Sequence, residues 1–205
     1  MRILFVTGNE GKLREIREIM ADLDLPVVSV REAGLSPEID ENGVSFRDNA
    51  LIKVRALPLI PDTILMADDS GLSIDALDGK PGVHSARFLG EKTPYDVKIA
   101  AIIAAMKLVT GSSRSARYTS VVAMRFPDGE ERVTEGTMEG LIAETPKGEN
   151  GFGYDPLFYY PPFRKTAAEM TDEEKNSVSH RGEALRKAKI EIASYLEGKC
   201  SEKEM

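Results

Sequence analysis

Two adjacent carboxylates carry the strongest chemical signal in the chain. Asp68 and Asp69 come directly after an apolar run over residues 63–67 and are followed by Ser70. The run predicts a buried strand that ends at the acids, and α/β proteins bind ligands at the carboxyl ends of strands. Like charges this close repel unless a cation lies near, so the pair predicts a Mg²⁺ site in which one carboxylate holds the metal and the other accepts a proton from water. The alternative is a solvated turn in which one Asp caps the next segment.

A second candidate is a glycine-containing turn where a predicted strand over residues 2–7 leads into a helix. Its residues are Thr7, Gly8, Asn9, Glu10, Gly11 and Lys12. Free N–H groups and the helix dipole at such a turn bind phosphate, and a lysine adds positive charge. The spacing fits neither a Walker A loop nor the dinucleotide fingerprint. A tight turn with a surface lysine is the alternative.

An acidic patch precedes the second predicted helix. It contains Glu38, Asp40 and Glu41, and the helix itself carries Lys53. A carboxylate from this loop could supply another metal ligand. Taken alone, the patch is also typical of a solvated run of charges.

Glycines surround two aromatic residues over residues 151–156, where Phe152 and Tyr154 could stack on a flat ring. A structural turn into a strand explains the same residues equally well.

Lys175, His180 and Arg181 follow and could bind phosphate or a carbonyl oxygen, although a lone histidine is more often a surface or core residue. Together with the carboxylates and the first turn, these residues suggest a nucleotide site, because the convergence is more specific than any one motif.

The elements that must position these residues alternate between strand and helix. Helices are predicted from Lys12 to Met20, from a cap at Ser45, from a cap at Thr93 with a first-turn proline, from a capping box of Thr171 and Glu174, and through residues 185–195. Residues 117–126 and 132–137 predict an antiparallel hairpin. The fold class is therefore α/β with a mixed sheet and an antiparallel insertion, in two lobes.

Composition limits the function classes. The 205 residues carry 27 Lys and Arg against 34 Asp and Glu, a net charge of −7, which disfavours nucleic acid as a partner. Hydrophobic residues at 41% exclude a disordered chain, and no apolar run is long enough for a membrane span or a signal peptide. The single cysteine, Cys200, excludes a disulfide framework. We expect a cytoplasmic protein with one domain over residues 1–197 and a charged tail over residues 198–205.

In their order along the chain, these motifs resemble the inosine triphosphate pyrophosphatase family, which hydrolyses non-standard purine nucleoside triphosphates such as dITP, ITP and XTP. The matching stretches are TGNEGKLREI, ENGVSFRDNALIKV, ADDSGLSIDALDGKPGVHSARF, GFGYDPLF and KTAAEMTDEEKNSVSHRGEAL. Family members often have Glu-Glu-Thr-Gly where this chain has residues 40–43, and the second acid is retained as Glu41. Tyrosine is common at the position of His84, which argues against a catalytic role for that histidine.

The resemblance implies a two-lobed α/β fold around a long mixed β-sheet flanked by helices, with the active-site cleft between the lobes. It also implies a homodimer, Mg²⁺ as cofactor, a nucleotide substrate, and neither a nucleic-acid nor a membrane partner. Glu41 and Asp69 would bind Mg²⁺ with Asp68 close by, Asp69 would be the general base, and Ser70 would touch the substrate. The triphosphate would be held by Thr7, Gly8, Asn9, Glu10, Gly11 and Lys12, with help from Lys53. The base and sugar would be lined by Phe152, Gly153, Tyr154, Asp155, Lys175, His180 and Arg181.

Two rival functions remain at this stage. One is a related pyrophosphatase with another base preference, acting on modified pyrimidines or on standard nucleotides. The other is a catalytically silent nucleotide-binding module, against which the retention of Lys12, Glu41, Asp68 and Asp69 argues, because a binding module needs no general base.

Overall fold

The computed structural model describes residues 1–203, with side chains through residue 199. Its strands are β1 (Arg2–Phe5), β2 (Val27–Ser29), β3 (Thr63–Ile74), β4 (Lys80–Pro81), β5 (Ser115–Arg125), β6 (Glu131–Ile142), β7 (Phe158–Tyr160) and β8 (Lys165–Thr166). Its α-helices are α1 (Glu10–Ile19), α2 (Phe46–Arg55), α3 (Tyr95–Ala105), α4 (Asp172–Val178) and α5 (His180–Lys203).

The strands form one mixed sheet, which confirms the predicted α/β fold class. The strand order is β2-β1-β3-β5-β6-β7-β8, and the short strand β4 pairs only with β3, outside this order. β1 runs parallel to both β2 and β3, whereas β7 runs antiparallel to β6 and β8. The parallel pairs come from the strand–helix alternation at the start of the chain. The strands predicted over residues 117–126 and 132–137 are the neighbours β5 and β6, and the antiparallel β7 and β8 lie beyond that hairpin.

The described chain divides into two compact units. The first comprises residues 1–69, 121–136 and the chain from residue 182 onward, and the second comprises residues 70–120 and 137–181. Each unit has an apolar core of its own, and each contains one group of the predicted site residues.

The core of the first unit covers both faces of its strands. On β1, Ile3 and Phe5 belong to one apolar cluster, which also contains residues of α1 and α5. Leu4 belongs to a second cluster, together with Ala50 and Val54 of α2. Alternate residues of a strand point to opposite faces, so the continuous apolar run of β1 buries both of them. Ala50 and Val54 of α2 are completely buried, so this face of the helix packs on the strands.

The core of the second unit packs α3 against its strands. Leu72 and Ile74 of β3 lie in one apolar cluster with Ile99 and Ile102 of α3. Tyr118 of β5 belongs to the same cluster although it carries a hydroxyl group. Ile99 and Ile102, three residues apart on α3, are therefore core positions.

Local helix signals are confirmed in two places and wrong in one. The Ser45 side chain accepts a hydrogen bond from the Asp48 N–H at the start of α2, and Thr171 forms the predicted capping box with Glu174. Thr93 does not cap α3, because its hydroxyl donates to the Leu89 carbonyl at 2.6 Å and the helix begins at Tyr95. The Thr93 hydroxyl is thus used in the turn before the helix and does not accept from an N–H of the helix.

The last helix is longer than its apolar pattern predicts. α5 continues to Lys203, so residues 198–203 of the predicted charged tail are helical. Residues 204 and 205 lie outside the described part of the chain. None of the helices within residues 1–203 combines the length and the apolar character that crossing a membrane requires.

Candidate active site

The two adjacent acids lie within a strand and not at its end. β3 runs from Thr63 to Ile74, so the prediction that the strand stops at Asp68 is wrong. The strand continues because Leu72 and Ile74 are fully buried apolar residues beyond the acids. Consecutive side chains of a strand point to opposite faces, so Asp68 and Asp69 have different surroundings.

Asp68 faces the helix that follows the glycine turn. It continues the series of Ile64 and Met66, whose cluster contains residues of α1. The Nζ of Lys12, on α1, lies 3.0 Å from Oδ1 of Asp68. This carboxylate is almost completely buried, so the ion pair is shielded from solvent. The lysine of the first motif and the first acid of the second motif therefore meet.

Asp69 faces α2. Its Oδ1 lies 2.9 Å from the Nζ of Lys53, and its Oδ2 accepts a hydrogen bond of 3.2 Å from the amide of Asn49. Lys53 also lies 2.9 Å from Oε2 of Glu41 and donates to the backbone carbonyl of Asp68 at 3.2 Å. One buried ammonium group thus joins the carboxylates of Glu41 and Asp69.

The charge of Lys53 is stabilised by its acidic neighbours. Burial on its own would lower the pKa of the Lys53 ammonium, because the charged form loses its hydration. The carboxylates of Asp69, Glu41 and Asp68 outweigh this effect, so the pKa is raised above its ordinary value. Lys53 therefore remains a cation at neutral pH and neutralises part of the acidic cluster.

The carboxylate cluster fits a hard divalent cation in its chemistry. The oxygens of Glu41 and Asp69 each lie 2.9 Å from one nitrogen, so they are separated by at most twice that distance. Mg²⁺ prefers one or two carboxylates with the rest of its ligands from water and phosphate oxygens. Within residues 1–203 no group of three or more His, Cys, Asp or Glu side chains is arranged to hold a metal. The donor set therefore fits a metal shared with a phosphate ligand better than a closed protein cage.

The predicted order of strand, glycine turn and helix is confirmed, but α1 begins at Glu10, so Glu10, Gly11 and Lys12 lie in its first turn and not in the turn before it. The hydroxyl of Thr7 accepts from the Asn9 N–H at 3.1 Å, and Asn9 is the N-cap of α1, whose side chain accepts from the Lys12 N–H at 3.1 Å. Glu10 begins the helix and is exposed, and a Cβ atom added at Gly8 would meet nothing within 4 Å. The backbone at Gly8 is therefore open to a ligand.

The second group of predicted residues lies in the second unit and is organised by Asp155. This buried carboxylate accepts from the Nζ of Lys175 at 2.7 Å and from the Phe152 N–H at 2.8 Å. The hydroxyl of Tyr118 lies 3.4 Å from its other oxygen. Gly151 has a φ of +74°, and a Cβ atom there would collide with the Asp155 carboxylate, so the loop requires glycine at this point.

The ring of Phe152 lies beside two cations. The Nζ of Lys175 is 4.8 Å and the guanidinium carbon of Arg181 is 5.4 Å from the centre of this ring. Arg181 also donates to the hydroxyl of Ser70 at 2.8 Å. These contacts bring an aromatic face, positive charge and a hydroxyl group together, which suits a flat polar ring attached to an anionic chain.

His180 and Tyr154 have well-defined aromatic partners. The imidazole of His180 stacks on the ring of Tyr118, with centroids 4.6 Å apart and an interplanar angle of 12°. Tyr154 is buried, donates its hydroxyl to the Ser85 carbonyl at 2.9 Å and packs edge-on against Tyr95. Gly153 lies next to Tyr95 as well. In this structure Tyr154 therefore supports the loop, and Phe152 is the more accessible of the two aromatic rings.

Two residues that contact the predicted site residues, Asn49 and Tyr118, were not predicted from the sequence. Asn49 binds Asp69, and its position four residues before Lys53 is a signal for a shared helix face. Tyr118 orients His180 and Asp155, but an aromatic residue in an alternating strand gives no sign of such a role. In the acidic patch, Glu38 and Asp40 are exposed, and Glu41 is the member that contacts Lys53.

Comparisons with known proteins agree on one family. The family model described as "Ham1 family" matches residues 3–190. The chain is 41% identical over 199 residues to a dITP/XTP pyrophosphatase of Bacillus anthracis, covering 96% of this chain and 98% of that protein. It is 43% identical over 196 residues to the protein of the same name from Desulforamulus reducens, covering 96% and 97%. Among solved structures, a HAM1 protein from Coxiella burnetii matches with a TM-score of 0.84 and 37% identity, covering 95% of this chain and 99% of that one.

Proposed function

The chain belongs to the Ham1 family, and from this premise we propose that it is a Mg²⁺-dependent nucleoside triphosphate pyrophosphatase that acts on non-standard purine nucleotides. Its substrates would be dITP, ITP and XTP, and its products the nucleoside monophosphate and pyrophosphate. The observation that carries the proposal is the contact of the buried Lys53 with both the buried Asp69 and the half-exposed Glu41. Together these side chains contain the acid–base and cation-binding groups that such a hydrolysis needs.

The first unit would bind the triphosphate and carry out the reaction. The open backbone at Gly8, the N-terminus of α1 and the ammonium group of Lys12 support phosphate binding. Glu41 and Asp69 would hold Mg²⁺, which would neutralise the charge on the phosphate oxygens when bound. Asp68 would stay close to this centre through its ion pair with Lys12.

The hydrolysis would need no covalent intermediate. A water oxygen attacks the α-phosphorus, the bond from that phosphorus to the α–β bridging oxygen breaks, and pyrophosphate leaves with both bonding electrons. The carboxylate of Asp69 accepts the proton that the attacking water loses. Lys12 and Lys53 offset the charge that develops on the leaving group.

The second unit would bind the base and sugar. Phe152 offers a ring for stacking, and Lys175, His180 and Arg181 offer hydrogen-bond donors. Hypoxanthine and xanthine carry a carbonyl acceptor at position 6, whereas adenine carries an amino donor there. A buried donor paired with the carbonyl would be left unpaired against adenine, and such sites can discriminate by about 10⁴-fold.

Product identity tests the proposal directly. Phosphorus NMR of a reaction with ITP and Mg²⁺ is expected to show the monophosphate and pyrophosphate, with no turnover after chelation by EDTA. Asp69→Asn should lower kcat by about 10³-fold or more because the proton acceptor is lost, while its circular dichroism spectrum stays that of the parent protein. Formation of the diphosphate and inorganic phosphate, or a wild-type rate in Asp69→Asn, would contradict it.

The homodimer implied by the resemblance and the cytoplasmic location expected from the sequence remain predictions. Light scattering coupled to gel filtration tests the first. A mass of twice the chain's 22.5 kDa is expected, and a mass equal to one chain would contradict the dimer.

A further inference from the structure

A buried amide links the Asp69 carboxylate to the loop that carries Glu41. Asn49, in α2, is 0% exposed. Its Oδ1 accepts a hydrogen bond of 2.8 Å from the Gly43 N–H, and its Nδ2 donates one of 3.2 Å to Oδ2 of Asp69. A backbone N–H can only donate and an ionised carboxylate can only accept, so these two partners fix which end of the amide faces which group.

The donor end of the amide restrains the Asp69 carboxylate. One oxygen of Asp69 is held by Lys53 at 2.9 Å and the other by Asn49. With both oxygens bound, the carboxylate plane cannot rotate without breaking a buried hydrogen bond, which is costly. A general base must keep one orientation relative to the water that it activates, and this arrangement supplies it.

The acceptor end of the amide anchors the loop that carries Glu41. Gly43 is two residues beyond Glu41, and its N–H is bound by Asn49. A Cβ atom at Gly43 would lie 2.6 Å from Oδ1 and 2.8 Å from the backbone N of Asn49, so only glycine allows the loop to approach this closely. A single side chain therefore sets the position of both the loop and the strand.

We infer that Asn49 is a positioning residue for the hydrolysis, which holds Asp69 in its catalytic orientation and keeps the Glu41 loop against α2. This inference rests on the proposed function, because it assigns Asn49 a role in the reaction of Asp69. It adds a residue that contacts neither the reacting phosphate nor the metal and acts through the groups that do.

Two substitutions at position 49 remove either one or both of the hydrogen bonds that the amide makes. Asn49→Asp keeps the shape and the acceptor for Gly43 but replaces the donor to Asp69 with a like charge. Asn49→Leu removes both hydrogen bonds. For both variants we expect kcat with ITP at saturating Mg²⁺ to fall about 100-fold, because small displacements of a catalytic group have effects of that size. KM should change less than about threefold, since the phosphate turn and the base site are untouched.

Ser45→Ala is the matched control for damage to the helix. It removes the N-cap of the same α2 without touching Asp69. It should lower the melting temperature while kcat stays within about twofold of the parent value. If Ser45→Ala loses as much kcat as the Asn49 variants, or if Asn49→Asp keeps the parent kcat, the positioning role is refuted.

A stability measurement without metal or substrate gives an independent test. In the double variant Asn49→Asp with Asp69→Asn, the amide and the carboxylate exchange places, so the hydrogen bond between them can form again. In EDTA this variant should melt at a higher temperature than Asn49→Asp alone, and an equal or lower melting temperature would refute the link. Failure of the parent protein to hydrolyse ITP would refute the proposed function instead, and this outcome is distinct from an active parent with fully active Asn49 variants.

Discussion

At the scale of single residues, Lys12 tests the assignment of phosphate binding. Its Nζ pairs with the buried Asp68, and we assign the same group to the phosphate chain. Lys12→Ala should raise KM for ITP about tenfold or more with a smaller change in kcat, because charge that binds the ground state is lost. Steady-state kinetics give both constants.

Lys187→Ala is the matched control for this prediction. Lys187 is exposed on α5 and pairs with Glu183. Its removal should leave KM unchanged, because an exposed pair of this kind contributes little. An unchanged KM in Lys12→Ala would remove that lysine from the phosphate site.

His180 tests the assignment of base recognition. The ring of Tyr118 fixes the imidazole by stacking, so a donor aimed at the base would be held in place. His180→Ala should reduce the ratio of kcat/KM for ITP to that for ATP by about tenfold or more, because the unpaired-donor penalty against adenine disappears. His84→Ala, which removes the only other histidine of the sequence, is the control and should leave the ratio unchanged. If the ratio does not move in His180→Ala, recognition rests on other groups.

The residues that the sequence could and could not identify differ in how local their signals are. Asp69 and Lys12 stand out because two acids after an apolar run, or a lysine after a glycine turn, are unusual within a few positions. Asn49 and Tyr118 gain their importance from contacts with Asp69, 20 positions away, and with Asp155, 37 positions away. No short window of sequence contains those contacts.

At the scale of elements, an ion pair ties α1 to the loop after β2. Glu32 accepts from Arg17 at 2.6 and 2.7 Å and from the Ser29 N–H at 2.8 Å. The Arg17 and Ser29 hydrogen bonds lower the pKa of Glu32 from 4.5 to about 2. A depressed pKa in the folded protein adds stability above pH 4.5, and that stability is lost as the pH falls towards 2.

Replacing Glu32 should therefore change how stability depends on pH. Glu32→Gln should lower the free energy of unfolding above pH 4.5, and its difference from the parent should shrink as the pH falls towards 2. Urea titrations across this range measure the difference, with Glu38→Gln as an exposed control. A difference that is constant with pH would contradict this account of the element contact.

Elements with local capping signals were predicted from the sequence, whereas elements defined by contacts with distant residues were not. The starts of α2 and α4 have capping signals within three residues, and both were correct. The three-residue β2 was not predicted, because its pairing with β1 defines it more than its own composition does. β3 was predicted too short, because lysines of α1 and α2 compensate the two acids inside it, and these lysines are distant from the acids in the sequence.

At the scale of the whole molecule, the net charge of −7 and the binding of a polyanion are compatible. In the first unit, Lys12 and Lys53 lie beside carboxylates. In the second unit, Lys175 lies beside Asp155 and Arg181 lies beside the ring of Phe152. Within each unit, a few cations held in place by their partners set the local potential more than the total charge does. The net charge of the protein therefore disfavours the binding of nucleic acid, but it does not argue against the binding of a single nucleotide.

The most direct test of the central claim is pyrophosphate release, measured in parallel from ITP, XTP, GTP, ATP and dUTP with Mg²⁺. We predict fast release from ITP and XTP, with the monophosphate as the other product, and rates for ATP and dUTP lower by orders of magnitude. Equal rates for all five nucleotides would contradict the selectivity that we assign to the second unit. No release from any of them, with ITP still bound, would contradict the hydrolase itself and leave a nucleotide-binding protein.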